Sequence, residues 1–400
     1  MKNINFKNSY YIFVILASVI LFGGLWKYYP IYGSYLFQDW TYIYDYRICL
    51  NYPDKADDSI KGLCPVILEY NFVYPDIWKK LGEIGNRTLF KYLILIFVIF
   101  YLFFCLNILK KYNFFIKFLF ILSPVSILLI QRGNNDLIIF FLIFLFYLIL
   151  NNNKNLLISF IPLNLAIIGK VFPIVLVPIY FVLNKYIKLK LIFYLILLSS
   201  LLISIYFTNI LSLLGDYNKA GVLLAFNSTT LFKIFNFITE YNLNYNIFSI
   251  FILLFLILFS TVFKYELPKF EERQELSFLI GSAIIVGSFF LNEGFVYRLI
   301  FLIFNVSYFL SLKDKINKNL YYYFIIILFL SLWIEYFTYF FELILGINFV
   351  ELKLNPEINL KNALYGFSII FKNMIYWLLN FNLIFISTKI FLKNLQFKRL

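Results

Sequence analysis

Three short polar segments stand at the ends of long apolar runs, and each contains a basic residue that could bind an anion. They are "QRGNND" (131–136), "GKVFP" (169–173) and "NEGFVYR" (292–298). Their cations are Arg132, Lys170 and Arg298. The planar guanidinium of arginine matches a phosphate group in shape, and lysine supplies a compact positive charge. The segments therefore predict a site for a negatively charged substrate group, provided that the fold brings them together.

Each segment also has a purely structural interpretation, which the sequence leaves open. In the first, Gly133 allows a tight turn, an asparagine can cap the following helix, and Asp136 suits the positive end of that helix. Lys170 could extend its ammonium to the membrane surface from a hairpin turn, with a proline opening the return helix. Arg298 and its neighbour Tyr297 could anchor a helix at headgroup depth.

An acidic residue that could take a proton from a hydroxyl occurs near the N-terminus. It is Asp39, in the aromatic segment "FQDWTYIYDYR" (37–47). A carboxylate that stays ionised can act as a general base. The structural alternatives for Asp39 are a helix cap and an ion pair with Arg47. Asp45 and Glu293 are weaker candidates for a second acid.

The absence of histidine narrows the possible chemistry. The sequence contains none, which excludes Ser-His hydrolases, Cys-His proteases and sites in which histidine holds zinc or haem. It also contains no Asp-x-Asp pair, so we expect neither a metal ion nor another cofactor.

The elements that must position these residues are membrane helices. Hydrophobic residues make up 62% of the chain and charged residues only 14%, and the mean hydropathy is +0.83. A soluble globular surface does not carry this composition. The net charge of +14 is scattered between apolar segments, so we expect no nucleic-acid partner and read the basic residues as topology signals.

We predict an all-α polytopic membrane protein with about twelve transmembrane segments, in which residues 1–400 form one membrane-embedded unit. The predicted segments are 10–26, 88–109, 118–130, 137–150, 156–169, 172–184, 191–209, 247–263, 276–291, 298–312, 320–341 and 367–391. The four segments between 118 and 184 are shorter than a usual span, so we expect tilted hairpins, kinks or partial spans there.

Basic loops predict the orientation, because short loops rich in lysine and arginine stay cytoplasmic. We predict a protein of the plasma (inner) membrane with its N-terminus in the cytoplasm. Every second loop is then cytoplasmic, and these loops are short and basic. The C-terminal tail is also cytoplasmic. The three polar segments and two long loops, 27–87 and 210–246, then lie on the extracytoplasmic face. Cys49 and Cys64 share the first of these loops, which predicts a disulfide between them.

The order of these features resembles the GT-C class of membrane glycosyltransferases. In both, one helix precedes a long outer loop with an early acidic residue, followed by a many-helix body. More narrowly, "QRGNNDLIIFFLIFL" followed by "LNLAIIGKVFPIVLVPIYFVLNKY" resembles glycosyltransferase family 87, which depends on polyprenyl-phosphate-mannose. "AFNSTTLFKIF" (225–235) is similar to the outer Asn-x-Ser segment of that family. The order of features is similar over roughly residues 30–310, and the motifs that carry the resemblance are short.

The resemblance implies a GT-C-like bundle whose outer loops form the active-site face. A sugar, with mannose favoured over other hexoses or pentoses, would leave a polyprenyl-phosphate donor and join a lipid or glycan acceptor with inversion. Asp39 would be the general base. The residues that would bind the donor phosphate are Arg298, Lys170 and Arg132, and those that would bind the sugar or shape the pocket are Asn135, Asp136, Asn227 and Tyr297.

One departure and two rival functions stay open at this point. Many relatives carry a histidine motif where this chain has "NEGFVYRLIFLIF", so the donor or the acceptor could differ. A lipid or glycan transporter or flippase would also have many helices and charged residues near the bilayer. A non-catalytic subunit of a glycan-assembly complex would keep the fold without the activity.

Overall fold

A computed structural model of the chain describes residues 38–52, 64, 78, 87–153, 156–170, 172–179, 225–239, 244–268, 270–291, 294–345 and 360–396. The α-helices in these ranges are α1 Gln38–Asn51, α2 Arg87–Ile108, α3 Phe114–Ile121, α4 Pro124–Arg132, α5 Asp136–Asn153, α6 Leu156–Gly169, α7 Thr230–Thr239, α8 Tyr245–Val262, α9 Glu272–Leu291, α10 Ile303–Ser311, α11 Lys318–Leu345 and α12 Leu360–Gln396. Two 3-10 helices, Phe172–Leu176 and Val296–Leu302, and two short strands, β1 Ala225–Phe226 and β2 Gly294–Phe295, complete the described elements.

The described part of the chain is a helical membrane protein, as the sequence predicts. Four of its helices are long and apolar enough to cross a membrane, and they lie within α2, α8, α11 and α12. Most side chains of α8 are exposed and apolar, which fits a helix that faces lipid. The predicted total of about twelve spans stays a prediction, and the predicted segments 10–26 and 191–209 lie outside the described residues.

The predicted short spans differ from straight helices in ways that their sequences explain. The segment 118–130 is two helices, because Pro124 opens α4 and the chain bends by 49° between α3 and α4. Ser123 accepts a hydrogen bond from the backbone N–H of Ser126 at 3.3 Å and so caps α4, which compensates for the break. The predicted helix 172–184 begins as the short 3-10 helix Phe172–Leu176, and its residues after 179 lie outside the described ranges.

Helix α9 lies at the centre of the described bundle, where it packs against α10, α12 and both 3-10 helices. Glycine makes one of these contacts possible. A Cβ atom at Gly287 would lie 2.5 Å from Val175 Cγ1, closer than real Cβ contacts allow. The first 3-10 helix therefore rests directly on the backbone of α9.

We expect Gly287→Ala to destabilise the protein by about 1–3 kcal/mol, because the added methyl group overpacks this contact and displaces the 3-10 helix. The midpoint of thermal unfolding in detergent measures the effect. Gly366→Ala on α12 is the matched control, since a Cβ there would meet nothing within 4 Å. The control should leave the midpoint unchanged or raise it, because alanine favours helix more than glycine does. Equal effects of the two substitutions would contradict the assignment of close packing to Gly287.

Strands β1 and β2 connect two distant parts of the chain. They pair antiparallel, with Ala225 opposite Phe295 and Phe226 opposite Gly294. The backbone N–H of Ser228 also donates to the carbonyl of Phe289 at the end of α9, at 2.9 Å. The segment "AFNSTT" is therefore attached beside the start of the second 3-10 helix.

Candidate functional site

The structure brings the three polar segments of the sequence together around one carboxylate, that of Asp136 at the start of α5. Lys170 Nζ lies 2.6 Å from Asp136 Oδ1, and Arg298 Nε lies 3.9 Å from Asp136 Oδ2. The side chain of Asp136 is fully buried, and those of Lys170 and Arg298 are 8% and 3% exposed. A lysine at the membrane surface would be far more exposed, so the snorkelling interpretation of Lys170 is wrong.

Local sequence explains why Asp136 points inward. Gly133 has φ 55° and ψ 43°, the left-handed conformation that ends α4 in a single residue. Asn134 Oδ1 then accepts a hydrogen bond from the backbone N–H of Asp136 at 3.0 Å, which caps α5 as expected for an asparagine. The same oxygen also accepts from Lys170 Nζ at 3.0 Å. Asn134 thus joins the helix cap to the charged cluster.

The guanidinium group of Arg298 packs against an aromatic ring. Its guanidinium carbon lies 4.8 Å from the ring centroid of Phe172, a distance at which a cation is attracted to an aromatic face. Its Nε and Nη1 atoms are buried and have no hydrogen-bond partner among the described residues. The Phe172 contact therefore orients the arginine while these two donors stay available.

Polar atoms of Asn135 and Asp136 are also buried without a hydrogen-bond partner in the part of the chain that the structure describes. Both amide atoms of Asn135, and Oδ2 of Asp136, have no hydrogen-bond partner within the described ranges. A buried polar atom that lacks a partner costs free energy comparable to a lost hydrogen bond. We name Asn135, Asp136, Lys170 and Arg298 the anion site, because the two cations face the carboxylate of Asp136 and Asn135 precedes it in the chain.

The segment before α2 reaches this site through Trp78. Its indole Nε1 donates to the carbonyl of Gly169 at 2.8 Å, across 91 residues of sequence. The indole also packs over Gly169, where Cζ2 would be 3.4 Å from a Cβ atom. Because Gly169 precedes Lys170, Trp78 fixes the backbone that carries this cation. Sequence analysis missed Trp78, since a single tryptophan in a long loop gives no periodic signal.

Asn227 has a different role from a free sugar ligand. Its Oδ1 accepts from the backbone N–H and the hydroxyl of both Thr229 and Thr230, at 2.6 to 3.1 Å. This oxygen caps the start of α7. Asn227 therefore shapes the turn after β1, and its side-chain oxygen is already engaged.

The structure describes only some of the other candidate site residues, and some of those only by their backbone. Asp39 lies in the first turn of α1, which packs against α2 and α4, but its side chain is outside the described residues. The side chain of Tyr297 and all of Glu293 are also outside them. Asp45 is buried on α1. Arg132 is partly exposed in the last turn of α4, one residue before the turn that leads to the anion site.

The predicted disulfide between Cys49 and Cys64 is present, and Cys105 is a buried free cysteine, as expected for a core residue. The bridge ties the end of α1 to the chain that follows it. In the part of the chain that the structure describes, no three Asp, Glu or Cys side chains form a group that could hold a metal ion.

The arrangement can bind and stabilise an anion. Among the described residues of the site, Asp136 offsets one of the two positive charges, and the Nε and Nη1 donors of Arg298 lack a hydrogen-bond partner. In a site closed to water, such charges act more strongly on a developing negative charge than they would in solvent.

Comparison of the chain with protein-family models, curated proteins and solved structures finds no match.

Proposed function

We propose that the protein is a membrane glycosyltransferase that moves a sugar from a polyprenyl-phosphate donor to a hydroxyl of a lipid or glycan acceptor on the extracytoplasmic face. The observation that carries the proposal is the anion site, where two buried cations from distant segments share one carboxylate. The GT-C-like architecture, the family 87 resemblance and the predicted orientation belong to the same proposal.

Each residue of the anion site has a role in the proposed reaction. Arg298 and Lys170 hold the donor phosphate, with Asp136 fixing both cations. Asn135 offers an amide to the sugar hydroxyls. As the bond between the anomeric carbon and the phosphate oxygen breaks, its electrons pass to the phosphate, where the cations stabilise the added charge. These contacts lower the barrier because they strengthen as the charge develops.

Asp39 completes the proposed reaction as general base. Its carboxylate takes the proton of the acceptor hydroxyl while that oxygen bonds to the anomeric carbon from the side opposite the phosphate, which inverts the configuration. The packing of α1 against α4 supports this role, because α4 leads through Gly133 into the anion site.

The test uses purified protein in proteoliposomes with radiolabelled polyprenyl-phosphate-mannose, and measures label in extracted lipid and glycan fractions. Asp39→Asn should lower the transfer rate by at least about a hundredfold, the usual effect of losing a general base. Asp314→Asn is the matched control, because Asp314 is exposed between α10 and α11, and it should leave the rate unchanged. Loss of transfer in Asp45→Asn but not in Asp39→Asn would assign the base to Asp45.

A second candidate is a lipid or glycan transporter. It is favoured by the 49° break between α3 and α4, because broken helices beside a charged site are typical of transporters. Movement of labelled donor across the proteoliposome membrane without transfer of its sugar would select this candidate over the transferase.

A further inference from the structure

A second polar cluster lies inside the membrane helices α11 and α12, apart from the anion site. Lys372 Nζ lies 3.3 Å from Glu335 Oε1, and the hydroxyl of Tyr376 donates to the same oxygen at 2.7 Å. The lysine side chain is fully buried and the glutamate is 5% exposed. Ionisable residues are rare within membrane spans and usually mark a functional position.

The ion pair has a structural explanation, because it joins α11 to α12. The polar side chains on the neighbouring face of α12 do not have this explanation. The side-chain amides of Asn373 and Asn380 donate to backbone carbonyls one turn earlier, both at 2.8 Å. Their Oδ1 atoms, and the indole Nε1 of Trp377, are buried without a hydrogen-bond partner among the described residues. The spacing of these three residues puts them on one helix face. Polar groups that only joined helices would be paired, because unpaired ones are costly in hydrocarbon.

The cluster lies in the N-terminal half of α12, near the small sheet that leads to the anion site. Lys372 is about 30 Å along α12 from Lys393 at 1.5 Å per residue, and Lys393 lies in the basic end of the helix. The Tyr376 ring packs against Phe226 of β1, with centroids 5.1 Å apart. Since β1 pairs with β2, which leads directly to the 3-10 helix of Arg298, the two polar sites flank the same small sheet.

The chemistry of the cluster differs from that of the anion site. Glu335 and Lys372 form a buried ion pair, so among the described residues of the cluster the two charges neutralise each other. Its open atoms include two amide oxygens, which accept hydrogen bonds, and one indole N–H, which donates. The rings of Tyr376 and Trp377, which pack against Phe226 and Phe289, form the apolar side of the cluster. Apolar walls with a few acceptors and donors fit a neutral group that carries several hydroxyls.

We propose that this cluster binds a neutral, hydroxyl-rich lipid headgroup, of the chemical class of a sugar. We name it the headgroup site; its residues are Glu335, Lys372, Asn373, Tyr376, Trp377 and Asn380. The proposal does not depend on the transfer reaction, because it rests on other residues and concerns binding alone. If transfer takes place, the headgroup site is where a glycolipid acceptor would be held.

The experiment is native mass spectrometry of the full-length protein released from detergent micelles that contain one added lipid. The probes are a monoglucosyl diacylglycerol, the diacylglycerol without its sugar, and a phosphatidylglycerol with the same acyl chains. We expect retention of the glucosyl lipid to exceed that of the diacylglycerol by at least about tenfold, since two or three added hydrogen bonds give that difference. Equal retention of these two lipids, or stronger retention of phosphatidylglycerol, would overturn the proposal.

Two sets of variants locate the binding. Glu335→Gln/Lys372→Met should reduce retention of the glucosyl lipid to that of the diacylglycerol. Glu275→Gln/Lys393→Met removes the ion pair at the other end of α12, where the two charged atoms are 2.7 Å apart, and should retain the wild-type preference. Loss of preference in both double variants would contradict the assignment.

A third variant decides the question if the first double variant does not fold. Asn380→Leu removes an unpaired buried oxygen without breaking the ion pair, so it should keep or raise the midpoint of thermal unfolding. It should also weaken retention of the glucosyl lipid by about tenfold, as expected for one or two lost hydrogen bonds. A folded Asn380→Leu protein with the wild-type lipid preference would overturn the proposal.

Discussion

Replacement of Arg298 by glutamine is expected to lower the rate of sugar transfer by at least about a hundredfold, because one preorganised charge contact to a developing anion contributes a few kcal/mol to catalysis. Arg298 is one of the two cations of the anion site, and two of its donors have no hydrogen-bond partner among the described residues. Steady-state transfer from labelled polyprenyl-phosphate-mannose measures the effect. The loss should fall mainly on kcat, since the charge on the phosphate grows as the reaction proceeds.

Two further substitutions show whether shape or charge matters at this position. Arg298→Lys keeps the charge but loses the planar fork and its contact with Phe172, so we expect a rate between those of wild type and Arg298→Gln. Arg273→Gln is the matched control, because Arg273 is exposed at the start of α9 and donates to the hydroxyl of Tyr147. A loss of transfer in Arg273→Gln as large as that in Arg298→Gln would show that the effect is not specific to the anion site.

One part of the anion site, the turn between α4 and α5, can be predicted from the sequence. Gly133 and the asparagines beside it specify the turn between α4 and α5, and the structure contains that turn with Asn134 as the cap. Successive loops of a membrane protein lie on alternating sides of the bilayer, and this alternation predicts that the three polar segments share one side. Their meeting on Asp136 was not predictable at the level of atoms, because the partner of a lysine or arginine depends on how the helices pack.

The headgroup site could not be predicted from the sequence, for a different reason. Glu335 and Lys372 lie inside long apolar runs on separate helices and away from any turn, since Asn373 beside Lys372 is itself inside α12. A single charge in such a run looks like an isolated exception, and the pairing appears only when α11 packs against α12. The 3-10 helix at Phe172–Leu176 was missed similarly, because a short apolar run with a proline has the composition of a helix start.

The two sites together suggest why the small sheet of β1 and β2 is present in an otherwise helical protein. Phe226 of β1 contacts Tyr376 in the headgroup site, while β2 continues into the 3-10 helix that carries Arg298. A shift of β1 would therefore move both sites. The cap that Asn227 forms on α7 holds the chain after β1 in place, which gives this residue a positioning role.

The largest effect on stability is expected from Asp136→Asn, because it removes the carboxylate that the buried cations Lys170 and Arg298 share. Removing one member of a buried ion pair typically costs about 3–5 kcal/mol, and asparagine preserves the volume, so the loss reports charge rather than packing. Thermal unfolding in detergent measures the change. Lys170→Met should cost less, since one cation and one carboxylate remain.

Two comparisons test the charge argument behind that expectation. Asp136→Asn/Lys170→Met restores the wild-type net charge of the cluster and should recover much of the stability lost in Asp136→Asn. Glu275→Gln removes a carboxylate from a pair whose lysine is 28% exposed, and should cost only about 1 kcal/mol or less, because solvent screens that pair. If Asp136→Asn unfolds at the wild-type temperature, the buried cluster does not carry the surplus positive charge on which anion binding depends.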